Sequence, residues 1–259
     1  SGKITLNAST LTPYDVVSQI LDPKNYYYGN SMINPNISKE EEMALNATWK
    51  SLTDFGGDEN MIAVVDGSGS MYSGPKSMPA AVAMSLGIYF AEHNKGMFHN
   101  HFITFSNTPK LIEIKGETIV DKVSYVSTFD EVASTNVEGV FDLILCAAVD
   151  NKLPQEELPS KIVIISDMEF NYSVRNADAT VFENAKEKFA EYGYRLPEVV
   201  FWNVNSRGSP QPVEMNETGV ALVSGSSPSL FEMVAKGELS PYKFMLEVIG
   251  KERYAKIVA

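Results

Sequence analysis

Cysteine is almost missing from this chain. Cys146 is the single one among 259 residues, so no internal disulfide can form. Stability must come from a packed core, and a 44% apolar content supplies one. Cys146 lies in the apolar run Phe141-Asp142-Leu143-Ile144-Leu145-Cys146-Ala147-Ala148, which reads as a helix with the thiol buried. No segment has the ~18 consecutive apolar residues of a membrane span. No signal peptide is visible. The Asn-x-Ser/Thr sequons at Asn7, Asn36, Asn46, Asn171 and Asn216 therefore carry no weight, since a sequon matters only in a secreted protein. The expectation is a cytoplasmic protein without membrane contact. The chain opens Ser1-Gly2-Lys3 without methionine, which reads as a cut start or a tag remnant.

Positive charge is also scarce. Lys and Arg number 21 against 33 Asp and Glu, a net charge of -12. Such a surface repels phosphate backbones and disfavours tight nucleic-acid binding by this chain alone. Lys251, Arg253 and Lys256 come nearest to a basic patch and read as a solvated helix face. No G-x-x-x-x-G-K-[ST] phosphate loop occurs, and no G-x-S-x-G nucleophile elbow. Of three histidines, His99 and His101 share a strand face, but no third metal ligand accompanies them.

What is present centres on Met61-Ile62-Ala63-Val64-Val65-Asp66-Gly67-Ser68-Gly69-Ser70-Met71. An unbroken apolar run reads as a strand buried on both faces. It stops at a carboxylate. Ser68 and Ser70 follow at two-residue spacing, separated by glycines that permit a tight fold. Three oxygen-bearing side chains can then converge. Asp and Ser oxygens suit a hard cation such as magnesium, and a plain Gly/Ser turn is the competing reading.

Residues 1–57 differ from the remainder. Thr12-Pro13 predicts a helix over 14–21 with proline in its first turn. The stretch 25–36 is rich in Asn, Tyr and Pro and should be irregular. Ser38 with Glu41 forms a capping-box signature for a helix running to about Phe55. Met43, Ala47, Lys50 and Phe55 mark its inner stripe. Two such helices lack the apolar area to fold alone. The expectation is a helical extension, readable as the tail of a larger removed domain, that docks on the main domain through Trp49, Tyr26, Tyr27 and Tyr28.

From residue 58 to 259 apolar strands alternate with helices. Helices are predicted over 75–92, 118–125, 137–149, 179–192, 228–236 and 241–249. Strands are predicted over 162–165, 199–202 and 220–223, and a hairpin over 101–105 and 110–114 around Ser106-Asn107-Thr108-Pro109. In the helix over 179–192, Phe182, Ala185, Phe189 and Tyr192 line the apolar face. This alternation predicts an α/β fold: a doubly wound, mostly parallel sheet with helices on both faces. Ligands in such sheets bind outside the carboxyl ends of the strands. There the sequence collects Asp66, Ser166-Asp167, Asn203, Asn205 and Ser224. Ser134-Thr135-Asn136, before the helix over 137–149, can cap that helix and also reach the rim.

Asp66-x-Ser68-x-Ser70, a later Thr135, and Asp167 after a buried strand resemble the metal-ion-dependent adhesion site of von Willebrand factor type A domains, which have a Rossmann-like fold. The resemblance covers about residues 58–259. Ser166-Asp167-Met168-Glu169-Phe170, Val200-Phe201-Trp202-Asn203 and Gly219-Val220-Ala221-Leu222-Val223-Ser224-Gly225 resemble an uncharacterised family related to the Ro/TROVE RNA-binding proteins. Gly67 stands where that motif usually has an apolar residue, and Asn136 where an Asp is common. The large helical domain of Ro-type proteins is missing, unless residues 1–57 are its remnant.

The resemblance implies that Ser68, Ser70 and Thr135 bind magnesium directly, with Asp66 and Asp167 holding it directly or through water. Manganese or calcium can substitute. Neutral hydroxyls leave the metal's charge partly uncompensated, so its open position attracts a carboxylate from a protein partner. The expected function is thus a metal-dependent interaction module and not an enzyme. The alternatives are RNA–protein scaffolding as in Ro-like proteins, with RNA bound indirectly or through a missing domain, and a magnesium-dependent phosphohydrolase. The last lacks the second Asp that dehalogenase-type phosphatases place where Ser68 stands. It also needs a general base, for which Glu169 and His93 are the rim candidates.

Overall fold

The computed structural model describes residues 11–22, 32–52, 60–72, 79–129, 136–167, 178–205, 213–215, 220–225, 228–236, 239–240, 242, 245–246 and 249–250. Within them, seven α-helices are α1 (Pro13–Ile20), α2 (Lys39–Lys50), α3 (Pro79–His93), α4 (Ile119–Val126), α5 (Val137–Asp150), α6 (Asp178–Glu191) and α7 (Pro228–Ala235). The strands are β1 (Met61–Val65), β2 (His101–Thr104), β3 (Leu111–Glu113), β4 (Lys161–Ser166), β5 (Glu198–Asn203), β6 (Val213–Met215) and β7 (Val220–Ser224). They form one seven-stranded sheet in the order β3-β2-β1-β4-β5-β7-β6. The five inner strands are parallel, and β3 and β6 run antiparallel at the two edges. The predicted doubly wound α/β architecture is the observed one.

Strand alternation builds two cores. Met61, Ala63, Val65, Val163, Ile165, Val200, Trp202, Ala221 and Val223 face a layer made by α1, α2, α3, α4 and α7. Ile62, Val64, Ile162, Ile164, Val199 and Phe201 face α5 and α6 on the other side. Strands buried on both faces need apolar residues at every position, which is why 61–65 and 162–165 carry no polar alternation. Helix α3 is buried from Pro79 to Ala91 and lies close on β1. A Cβ at Gly87 would stand 2.6 Å from Val65 Cγ2, so glycine permits that approach.

The two N-terminal helices pack on this same face. Val16, Val17 and Ile20 of α1 and Leu45 and Trp49 of α2 are buried in its core. The α2 start is the reciprocal cap read from sequence: Ser38 N–H donates to Glu41 Oε2 at 2.8 Å and Glu41 N–H to Ser38 Oγ at 3.2 Å. Thr12 with Asp15 and Thr118 with Asp121 cap α1 and α4 in the same way.

The structure corrects several expectations. Helix α2 stops at Lys50 with Ser51 as its C-cap, short of Phe55, which lies outside the described residues. Its buried residues are Leu45 and Trp49, one turn apart, while Met43 is 73% exposed. The buried face is selected by Trp49, the largest apolar surface in the helix. Cys146 is exposed, because α5 buries Ile144, Leu145 and Ala148 and turns the thiol outward. Tyr192 is 59% exposed. Gly193 (φ 80) reverses the chain there, and Tyr194 N–H returns to Phe189 O at 2.9 Å. Tyr194 then packs inward in its place, its hydroxyl donating to Leu153 O at 2.8 Å. Strand β6 carried no sequence signal, being only 3 residues long. Tyr26, Tyr27, Tyr28, Lys251, Arg253 and Lys256 lie outside the described residues. The helix expected over 241–249 is described only in part, at 242, 245–246 and 249.

Candidate functional site

The connections from β1 run in opposite directions. The chain leaves β1 through α3 to β2 on one side, and later returns to place β4 on the other. The carboxyl ends of β1 and β4 therefore flank the point where the winding reverses, where open α/β sheets bind ligands. Asp66 ends β1, and Ser166 and Asp167 end β4.

Asp66 is buried, 4% exposed, and its backbone N–H continues the ladder to Ile165 O at 3.1 Å. Its Oδ1 accepts the Ser68 N–H at 2.9 Å. Its Oδ2 accepts the hydroxyl of Ser166, a residue with no exposed surface. The chain then enters a short 3-10 turn, Gly69–Tyr72, which Met71 and Tyr72 anchor by their burial. That turn lifts two hydroxyls to the surface. Ser68 Oγ and Ser70 Oγ lie 3.1 Å apart, and Ser70 Oγ donates to Asp167 Oδ1 at 3.1 Å.

Four of the five sequence-derived residues, Asp66, Ser68, Ser70 and Asp167, thus form one hydrogen-bonded group across two strands. The fifth, Thr135, lies outside the described residues. Asn136 beside it caps α5, its Oδ1 accepting Gly139 N–H at 2.8 Å, and its Nδ2 donates to Asn107 O at 3.1 Å. This ties the start of α5 to the β2–β3 loop. Asn203 is engaged in its own turn, its Oδ1 accepting Asn205 N–H at 3.0 Å.

Burial pushes the Asp167 carboxyl above its ordinary range; the Ser70 hydrogen bond opposes this, and the charge of Asp66 adds to the rise. Among the described residues no lysine, arginine or histidine forms an ion pair with either carboxylate. Every side-chain donor in the group is an oxygen, the class that hard divalent cations take. No cluster of three or more His, Cys, Asp or Glu occurs among the described residues. The described group combines hydroxyls with carboxylates.

The histidines are elsewhere. His93 sits at the far end of β1: the next residue, Asn94, accepts the Met61 N–H at 2.7 Å. A five-residue strand spans about 17 Å, so His93 is on the opposite rim and is no general base for this site. Its Nδ1–H donates to Tyr89 O and its ring stacks on Tyr89 with centroids 4.1 Å apart. Glu169 lies outside the described residues. His99 and His101 each bond a backbone carbonyl, and no metal cluster forms around them among the described residues. Ser166 carried no assigned role in the sequence. The available signal was a small polar residue ending a run of four buried aliphatics.

Residues 60–248 match the family described as a domain of unknown function, DUF7788. The chain belongs to that family. A relative of the DUF7788 chain is the uncharacterized protein L728 of Acanthamoeba polyphaga mimivirus, 32% identical over 250 residues. That match takes in 96% of this chain but 41% of the viral protein, so the chain spans less than half of that relative's length. Among solved structures, the RO (RSR) protein of Deinococcus radiodurans is similar with a TM-score of 0.48 and 17% identity. The similarity covers 88% of this chain and 50% of that one.

Proposed function

We propose that this chain is a protein-interaction module in which Asp66, Ser68, Ser70 and Asp167, with Thr135, hold a divalent cation, magnesium in first place. An acidic side chain of a protein partner then completes the cation's coordination. The observation that carries this reading is the Ser68–Ser70–Asp167 chain of hydrogen bonds, backed by buried Asp66, at the point where the sheet reverses its winding. Two carboxylates without an ion-pair partner among the described residues favour a cation. Neutral hydroxyls leave that cation with charge to spare for a partner's carboxylate. No described helix is long and apolar enough to cross a membrane. A single cysteine, exposed, fits a cytoplasmic setting. The net charge of -12 disfavours direct binding to RNA.

Thermal melts in magnesium, manganese and chelator test the cation, and capture of partners from native lysate tests its use. A cation that binds only the folded state stabilises it by about 2.7 kcal/mol at a hundredfold excess over its dissociation constant. The melts should separate in the wild type and converge in Ser70→Ala. Captured proteins should be lost in chelator and in Asp167→Ala. Identical melts in all three conditions would defeat the cation reading. Metal-dependent hydrolysis of a phosphate ester would defeat the interaction reading.

A further inference from the structure

Ser166 is a buried polar side chain that directly follows four buried aliphatics. It ends β4 directly after Ile162-Val163-Ile164-Ile165 and has no exposed surface. The ladder pairs Val65 with Ile165, which puts Asp66 and Ser166 opposite each other one step further on. Alternation sends both side chains toward the same face. Ile62 and Val64 of β1, and Ile162 and Ile164 of β4, point to the α5–α6 layer. Asp66 and Ser166 continue those two series. A hydroxyl and a carboxylate on neighbouring parallel strands, in register and on one face, meet directly. The Ser166 hydroxyl accordingly donates to Asp66 Oδ2.

The other oxygen of Asp66 is held by the Ser68 N–H at 2.9 Å. The carboxylate is thereby fixed from two directions. One donor belongs to the loop that carries the surface hydroxyls, and the other to the strand that carries Asp167. We infer that Ser166 is a positioning residue, whose buried hydroxyl fixes the Asp66 carboxylate and so sets the rim's affinity for a divalent cation. This inference rests on the cation reading proposed above. Hydrogen-bond partners of ligating or water-holding carboxylates orient them, and their loss typically lowers metal affinity about 10–100-fold.

The experiment is calorimetric titration of the chelator-stripped full chain with manganese and with magnesium. The proteins are wild type, Ser166→Ala, Ser166→Thr and Ser70→Ala, each shown folded by circular dichroism at the titration temperature. Affinity measured on folded protein is not moved by a loss of stability alone. Ser166→Ala should bind about 10–100-fold more weakly. Ser166→Thr keeps the hydroxyl and should recover most of that loss. If Ser166→Ala does not fold, Ser166→Cys replaces it, near in size but a weak donor, and the same loss is expected. Wild-type affinity in the alanine or cysteine variant would overturn the positioning role while leaving the site reading intact. A threonine variant as weak as alanine would likewise overturn it. No titratable binding in the wild type, or binding unchanged by Ser70→Ala, would overturn the cation reading and this inference with it.

Discussion

Glu92 near the end of α3 joins three helices, and its removal should be costly. Glu92 Oε2 accepts the indole N–H of Trp49 from α2 at 2.8 Å. Its Oε1 pairs with Lys122 Nζ of α4. Trp49 is 7% exposed, so Glu92→Ala leaves a buried N–H without this acceptor. Such a loss costs about 1–3 kcal/mol. A cavity of about 210 Å³, lined by Trp49, Glu92, His93 and Lys122 among others, adjoins the group. It is large enough for water to reach the indole, which moves the cost toward the lower end of that range. The ion pair is partly exposed, with side-chain accessibilities of 20% and 23%, and adds no more than about 1 kcal/mol after screening. The total is about 1–2 kcal/mol, or a fall in Tm of about 2–8 °C for a domain of this size.

Thermal and urea melts of Glu92→Ala, Trp49→Phe and the double variant test this. Trp49→Phe keeps an aromatic ring but has no N–H. In that background Glu92→Ala should cost about 1 kcal/mol less than in the wild type. Strict additivity of the two changes would refute the argument. It would mean that the hydrogen bond between α2 and α3 contributes nothing to their packing.

Two further outcomes are expected. Asp167→Asn removes a half-buried charge next to Asp66, so it should stabilise the metal-free protein at neutral pH while abolishing the response to cation. Because the folded-state pKa of Asp167 is raised, chiefly by burial, the stability tied to its protonation is fully present below the unfolded carboxylate value. It is lost as pH rises through the raised folded value. Chelated wild type should therefore gain stability on acidification relative to Asp167→Asn, and parallel pH profiles would contradict this. Gly87→Ala would place a Cβ 2.6 Å from Val65 Cγ2. Overpacking of about 1–3 kcal/mol should outweigh the better helix propensity of alanine, about 1 kcal/mol, and lower the urea midpoint. An unchanged midpoint would show that α3 can slide off β1.

Local chemistry determined much of this protein without tertiary help. A five-residue apolar run with no polar alternation, bounded by turn residues, reads as a strand covered on both faces, and its end at Asp66 follows. Ser38 with Glu41 fixes the start of α2, because a cap satisfies its own backbone donors within one turn. The alternation of strands and helices was sufficient for the doubly wound sheet. Tertiary structure decided what depends on registration between distant segments. Ser70 meets Asp167 across 97 residues, and Ser166 meets Asp66 across 100. Those contacts follow from the β1–β4 register, which no local pattern encodes. The buried face of α2 was likewise settled by where Trp49 could reach Glu92, and not by the stripe through Met43. Cys146 turned outward because α5 had only one side to bury, a limit set by α6 and the sheet and not by the apolar run around the thiol.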